Sequence, residues 1–219
     1  MPADPSRSYL TLAARASAEI EVRRSRFLCD VAPADSEQAA RSVIEGVRAV
    51  TRDARHHCTA YVLGADGATL RRNDDGEPSG TAGAPMLDVL RGRGLTDVVA
   101  VVTRWFGGTL LGTGGLIRAY GDAVSRALAG ATIVARELRE GVLVDLDHAA
   151  GPRVEHALRA LTGVDVTTVD YLPNGVRLHV AAAPAAMEDV VRTVASLTSG
   201  GGRLGPGQPS WVDAEPGTA

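Results

Sequence analysis

Residues 71–120 read RRNDDGEPSGTAGAPMLDVLRGRGLTDVVAVVTRWFGGTLLGTGGLIRAY. Within this stretch, residues 98–106 (VVAVVTRWF) form an unbroken run rich in β-branched side chains. Such a run predicts a central strand buried on both faces. After the glycine-rich turn that follows it, Leu116, Ile117, Tyr120, Val124, Ala127 and Leu128 recur at helical spacing and predict a helix ending near Gly130. Before the strand, residues 82–90 read as a short helix. Pro85 lies in its first turn, where a missing N–H costs little. A strand framed by helices sets the class as α+β.

The pattern continues on both sides. Residues 25–33 (SRFLCDVAP) alternate as a strand. Asp35 offers an N-cap with Gln38 as its capping-box partner, and Ala39, Ala40, Val43, Ile44, Val47 and Val50 follow at helical spacing. Residues 58–63 and 68–72 predict a hairpin turned by Gly64-Ala65-Asp66-Gly67. Residues 1–20 read as a polar lead-in. Beyond residue 141 come a strand at 142–147, a helix opening at Gly151-Pro152, and strands at 164–172 and 176–182 joined by Pro173-Asn174-Gly175. A helix opening at Pro184 and a last strand at 203–212 complete the order βαββαβ, the ferredoxin-like arrangement. The boundary is expected near residues 132–138, giving a lead-in over 1–20, one domain over 21–134 and a second over 135–215.

Composition narrows the chemistry. The chain has 219 residues, 45% of them hydrophobic and only 4% aromatic, so it can bury a core built from Val, Leu and Ala. All 23 basic residues are Arg, which excludes lysine Schiff bases and Walker-type phosphate lysines. Residues 1–136 hold 17 Arg against 15 acids and residues 137–219 hold 6 against 11. Neither half carries the strong positive charge of a non-specific nucleic-acid binder. Two cysteines, Cys29 and Cys58, make neither a disulfide framework nor a zinc set, and a reduced cytosolic compartment is expected. No stretch reaches membrane-span length.

Two loops carry the candidate chemistry. In the second, Gly107, Gly108, Gly112, Gly114 and Gly115 let the backbone approach a partner closely at a helix N-terminus, with Arg104 and Arg118 nearby. Contact with phosphate and contact with protein both stay open, because neither GxGxxG nor GxxxxGK[ST] is present. In the first, Asp74, Asp75 and Glu77 are three carboxylates within four positions. They suit a hard cation, or ion pairs to Arg71, Arg72, Arg104 or Arg118 in a turn fixed by Pro78 and small residues such as Ser79 and Thr81. His56 and Cys58 share one strand face while His57 takes the other, and two ligands make no zinc site. Of Trp105 and Phe106, one is expected in the core and the other exposed as a stacking platform or interface anchor.

RSRF at 24–27, HHCTAY at 56–61, DDGEPSGTAG at 74–83, VVTRWFGG at 101–108 and LGTGGLIRAY at 111–120 together resemble the IMPACT / YigZ family. The resemblance implies a first domain like the second domain of ribosomal protein S5, beside the ferredoxin-like one. Eukaryotic members of that family regulate translation by binding a ribosome-associated activator of a stress kinase, acting through contact rather than catalysis. Trp105 stands where many relatives have Tyr, and Leu110 where some have a basic residue. The expectation is a non-enzymatic cytosolic protein regulating translation or its stress control through protein or RNA contacts, without cofactor, metal or membrane. The alternative is a phosphate- or nucleotide-binding enzyme using residues 107–115 with Asp74, Asp75 and Glu77. The small-molecule ligand, if any, is left open.

Overall fold

The computed structural model describes residues 7–214. The first six residues of the expected lead-in and the last of the expected second domain lie outside it. The chain is α+β and divides into two compact units after Ala135.

The first unit is organised around a five-stranded antiparallel sheet in the order β2 (Ala16–Val22), β3 (Ser25–Pro33), β6 (Val98–Trp105), β4 (His56–Leu63), β5 (Thr69–Asn73). β6 sits at the centre and is buried from Val98 to Arg104, as its β-branched run predicts. Period two divides its side chains between two layers. Val98, Ala100 and Val102 join Phe27, Cys29, Cys58 and Ala60 under the helices α2 (Gly83–Gly92) and α3 (Thr113–Ala129). Val99 and Val101 pack on the opposite side with Ala40 and Val47 of α1 (Glu37–Val50).

Four expectations change. The supposed lead-in contains two strands, β1 (Ser8–Leu12) and β2. β2 alternates short Ala and Glu with few large apolar residues, so its signal is faint; β1 is tied down by the Tyr9 hydroxyl donating to Asp97 Oδ2 at 2.6 Å. The N-cap of α1 is Ser36, whose Oγ accepts from Ala39 N at 3.2 Å, and not Asp35. Val50 and Ile117, assigned to inward helix faces by spacing, are exposed. Residues 203–212 split into β10 (Arg203–Pro206) and β11 (Ser210–Asp213), which pair with different stretches of β7 (Ile133–Leu146). Gly141 of β7 permits the crossing: a Cβ there would lie 2.0 Å from the Gln208 carbonyl oxygen.

In the second unit, α4 (Gly151–Arg159) follows β7, and β8 (Val164–Leu172) and β9 (Gly175–Ala182) form the hairpin. A 3-10 turn at Pro184–Ala186 leads into α5 (Met187–Thr198). The antiparallel order is β10-β7-β9-β8, and Val144, Val154, Leu158, Leu178, Val190 and Val194 form its core. No described helix is long and apolar enough to cross a membrane.

Candidate functional site

The register across three strands builds the site. Phe27 of β3 and His56 of β4 both pair with Arg104 of β6, so the three side chains share the face covered by α3. At the same end of the sheet β6 gives way to the glycine loop, and α3 starts at Gly112. Between them lies a cavity of about 420 Å3. Its lining includes Arg55, His56, Glu77, Pro78 and Arg104 on one side and Phe106, Leu110, Leu111 and Thr113 on the other.

The charged motif residues inside this region are occupied by one another. Arg104 is 6% exposed and Glu77 9%, and Arg104 Nη1 donates to Glu77 Oε1 at 2.6 Å. The same oxygen accepts the Tyr120 hydroxyl at 2.8 Å. Arg104 also lies over the rings of Phe27 and Phe106 at 5.3 and 5.7 Å. Burial, reinforced by Cys58 and Glu77, pushes the Tyr120 phenol far above its ordinary range, so it stays a proton donor. Cys58 Sγ sits 3.0 Å from the Asp74 carbonyl and 3.3 Å from Tyr120 Oη. Burial pushes its thiol up to about 12, so at neutral pH it is protonated and not a nucleophile.

The acidic loop is a scaffold for backbone. Asp74 Oδ1 accepts the N–H groups of Ala82 and Gly83 at 3.0 and 2.8 Å, and Oδ2 accepts Gly80 at 2.8 Å. It therefore caps α2 from outside the helix. Burial raises the Asp74 carboxyl, yet the three N–H groups outweigh it and hold the group below its ordinary range. Asp75, at φ +44°, accepts Arg48 Nη2 and His57 N, both at 2.7 Å. Burial raises its carboxyl too, and these two donors bring it below the usual value. Thr81 is buried with its hydroxyl on the Pro78 carbonyl at 2.6 Å, while Ser79 is exposed.

The sequence-derived candidates therefore separate. His56, Glu77, Arg104 and Gly112 line the cavity together, and His56 Nδ1–H donates to the Asp75 carbonyl at 2.8 Å. Arg71 and Arg118 do not line it. Arg71 lies on β5 beside Glu37, at 3.7 Å, and Arg118 is exposed on α3. Trp105 is half-buried, with Nε1 donating to Asp53 at 2.8 Å and the Arg26 guanidinium 4.8 Å from its ring centre. Gly107 is there for close approach, since a Cβ would meet the Arg24 carbonyl carbon at 2.0 Å. Gly108 and Gly112 adopt φ +84° and +71°, while Gly114 and Gly115 lie in the first turn of α3. Arg55 and Leu110 were not among the candidates. Leu110 stood out only as an apolar residue in a glycine loop, and Arg55 carries no sequence signal.

The profile of the Impact N-terminal domain matches residues 23–128, which take in β3 to β6, both loops and nearly all of α3. IMPACT family member YvyE of Bacillus subtilis is 44% identical over 152 residues, 69% of this chain and 70% of that protein. IMPACT family member YigZ of Escherichia coli is 50% identical over 123 residues, 55% of this chain and 60% of its own length. A crystal structure described as that of a hypothetical protein superposes with a TM-score of 0.69 at 37% identity, covering 92% of this chain and 98% of that one. At 44% identity over 70% of YvyE, and with the Impact N-terminal profile on residues 23–128, the chain belongs to the IMPACT family.

Proposed function

We propose that this protein is a non-enzymatic recognition module that acts in translation or its stress control by contacting another protein. One observation carries the reading: Arg104 and Glu77 pair inside the fold, and the cleft beside them is lined largely by apolar side chains. Cys58, Tyr120, Glu77 and Arg104 are linked in one chain of hydrogen bonds, and Asp74 and Asp75 hold backbone. The link to translation comes from the family resemblance, and a cytoplasmic location goes with it. We assign the second unit to the ferredoxin-like class on its strand order and its two helices, and the first to the class of the second domain of ribosomal protein S5.

Cosedimentation with bacterial ribosomes over a salt series tests the reading, comparing the native chain with Leu110→Asp. Salt-sensitive association that the variant loses is expected. Association at no salt concentration, or association that Leu110→Asp leaves untouched, overturns it.

A second reading, a phosphate- or nucleotide-binding enzyme, is favoured by one feature. α3 begins at Gly112 with no side chain capping its first N–H groups. A nucleotide with Mg2+ at roughly 100–1,000 times its Kd would then stabilise the fold by about 2.7–4.1 kcal/mol in a thermal-shift screen. No shift with any nucleotide removes this reading.

A further inference from the structure

We propose that the cleft at the start of α3 binds an acidic, apolar segment of a partner protein. Its apolar side chains enter the cavity, and its carboxylates meet Arg55 in the lining and the exposed Arg118 further along α3. This rests on the recognition-module reading above and gives the module's occupant a chemistry.

The apolar half of the argument is exposure. Leu110 is 81% exposed, Phe106 49% and Ile117 43%, all within one loop and the first turns of one helix. Leu111 and Leu116 continue the same surface into the cavity. Large apolar side chains held in water around a concavity mark a contact surface for other apolar groups.

The charge half comes from what is unpaired. The cavity lining holds Arg55 and Arg104 against the single carboxylate of Glu77, and Arg104 is spent on that carboxylate. Arg55 and Arg118 have no acidic partner among the described residues. The uncapped N–H groups at the start of α3 add the positive end of a helix dipole. The β2–β3 turn, whose backbone abuts Gly107, is strained. It is a two-residue loop with Arg23 at φ +48° and Arg24 at φ +68°, where Asn-Gly is the relaxed choice. The Arg24 backbone, not its side chain, is what packs against Gly107.

The same observations favour protein over RNA. Trp105 is already engaged within the protein, with Arg26 stacked on its ring and Asp53 accepting its indole N–H. The residues up to 136 carry nearly as many acids as arginines, too few excess cations to track a phosphate backbone.

Fluorescence anisotropy with the full chain tests the proposal using three labelled probes. They are a peptide alternating Glu and Asp with Leu and Phe, its counterpart with Lys at every acidic position, and oligouridine. The acidic peptide is expected to bind at least about tenfold more tightly than the Lys peptide, the size of two or three exposed ion pairs reversed. Leu110→Asp should remove binding. Arg55→Glu with Arg118→Glu should shift the preference towards the Lys peptide, and circular dichroism should show an unchanged fold for all three exposed positions. Equal binding of both peptides overturns the charge assignment and leaves the recognition reading standing. Tight oligouridine binding with no peptide binding replaces the proposal with a nucleic-acid site. If neither peptide binds while Leu110-dependent ribosome association persists, the proposal alone falls. If both are absent, it falls together with the reading on which it rests.

Discussion

Glu77 is the joint between the core and the cleft, and cutting it has a calculable effect. Its Oε1 receives Arg104 Nη1 and the Tyr120 hydroxyl, and all three side chains are buried. Glu77→Leu strips Arg104 of its counter-ion, which at such burial costs about 3–5 kcal/mol. Arg104→Met leaves the Glu77 charge uncompensated at a similar cost. The double variant removes both charges and leaves mainly the Tyr120 hydroxyl without an acceptor, a penalty of about 1–3 kcal/mol. The two single losses therefore should not add, and a double-mutant cycle should return a coupling of about 3 kcal/mol or more. Urea unfolding measures this in a Trp211→Phe background, so that Trp105 alone reports the first unit. Single variants that lose less than about 1 kcal/mol, or a double variant equal to their sum, refute the idea that this pair is a closed buried unit.

Four further outcomes follow from the same geometry. Burial holds the His57 imidazole below its ordinary value of 6.5, so the unfolded chain binds its proton first. Stability should fall as pH drops through 6.5 towards the lower folded value and then level off; His57→Gln should flatten that slope in denaturation series at several pH values. Asp74→Ala should cost about 1–2 kcal/mol through lost capping of α2, read as faster amide exchange at Ala82 and Gly83; unchanged exchange contradicts it. Gly107→Ala should destabilise by about 3 kcal/mol or more, because the new methyl group strikes backbone and not a movable side chain. Arg23→Asn with Arg24→Gly should raise the unfolding free energy by about 1 kcal/mol, and no gain would mean the turn is unstrained.

The sheet was legible where residue type and period agreed. The run at 98–106 predicted a strand covered on both sides, and alternation put His56 and Cys58 on one face without saying which. Capping was ambiguous because Asp35 and Ser36 are both competent, and only the backbone decided that Ser36 reaches Ala39 N. Helical spacing put Ile117 inward, but its position on α3 falls at the edge of the apolar stripe, beside the cleft. The loop chemistry was legible in kind and not in partner. Ion pairing of the acidic loop was expected, and Glu77 with Arg104 fits it. Asp75 instead reaches Arg48, 27 residues away, and Asp74 takes three N–H groups. Such pairings depend on the path of the loop in space, which residue spacing does not encode.

Arg71 gains its meaning from the edge of the sheet. β5 pairs only with β4, so its outer row of N–H and C=O groups stands ready to accept a strand from another molecule. Arg71 and Arg72 occupy its exposed middle. A second copy docking edge to edge in antiparallel register would bring four guanidinium groups together, and that repulsion keeps the chain from growing into a continuous sheet. Replacing both with Thr or Val should therefore raise edge-to-edge association, which light scattering against the native chain would detect.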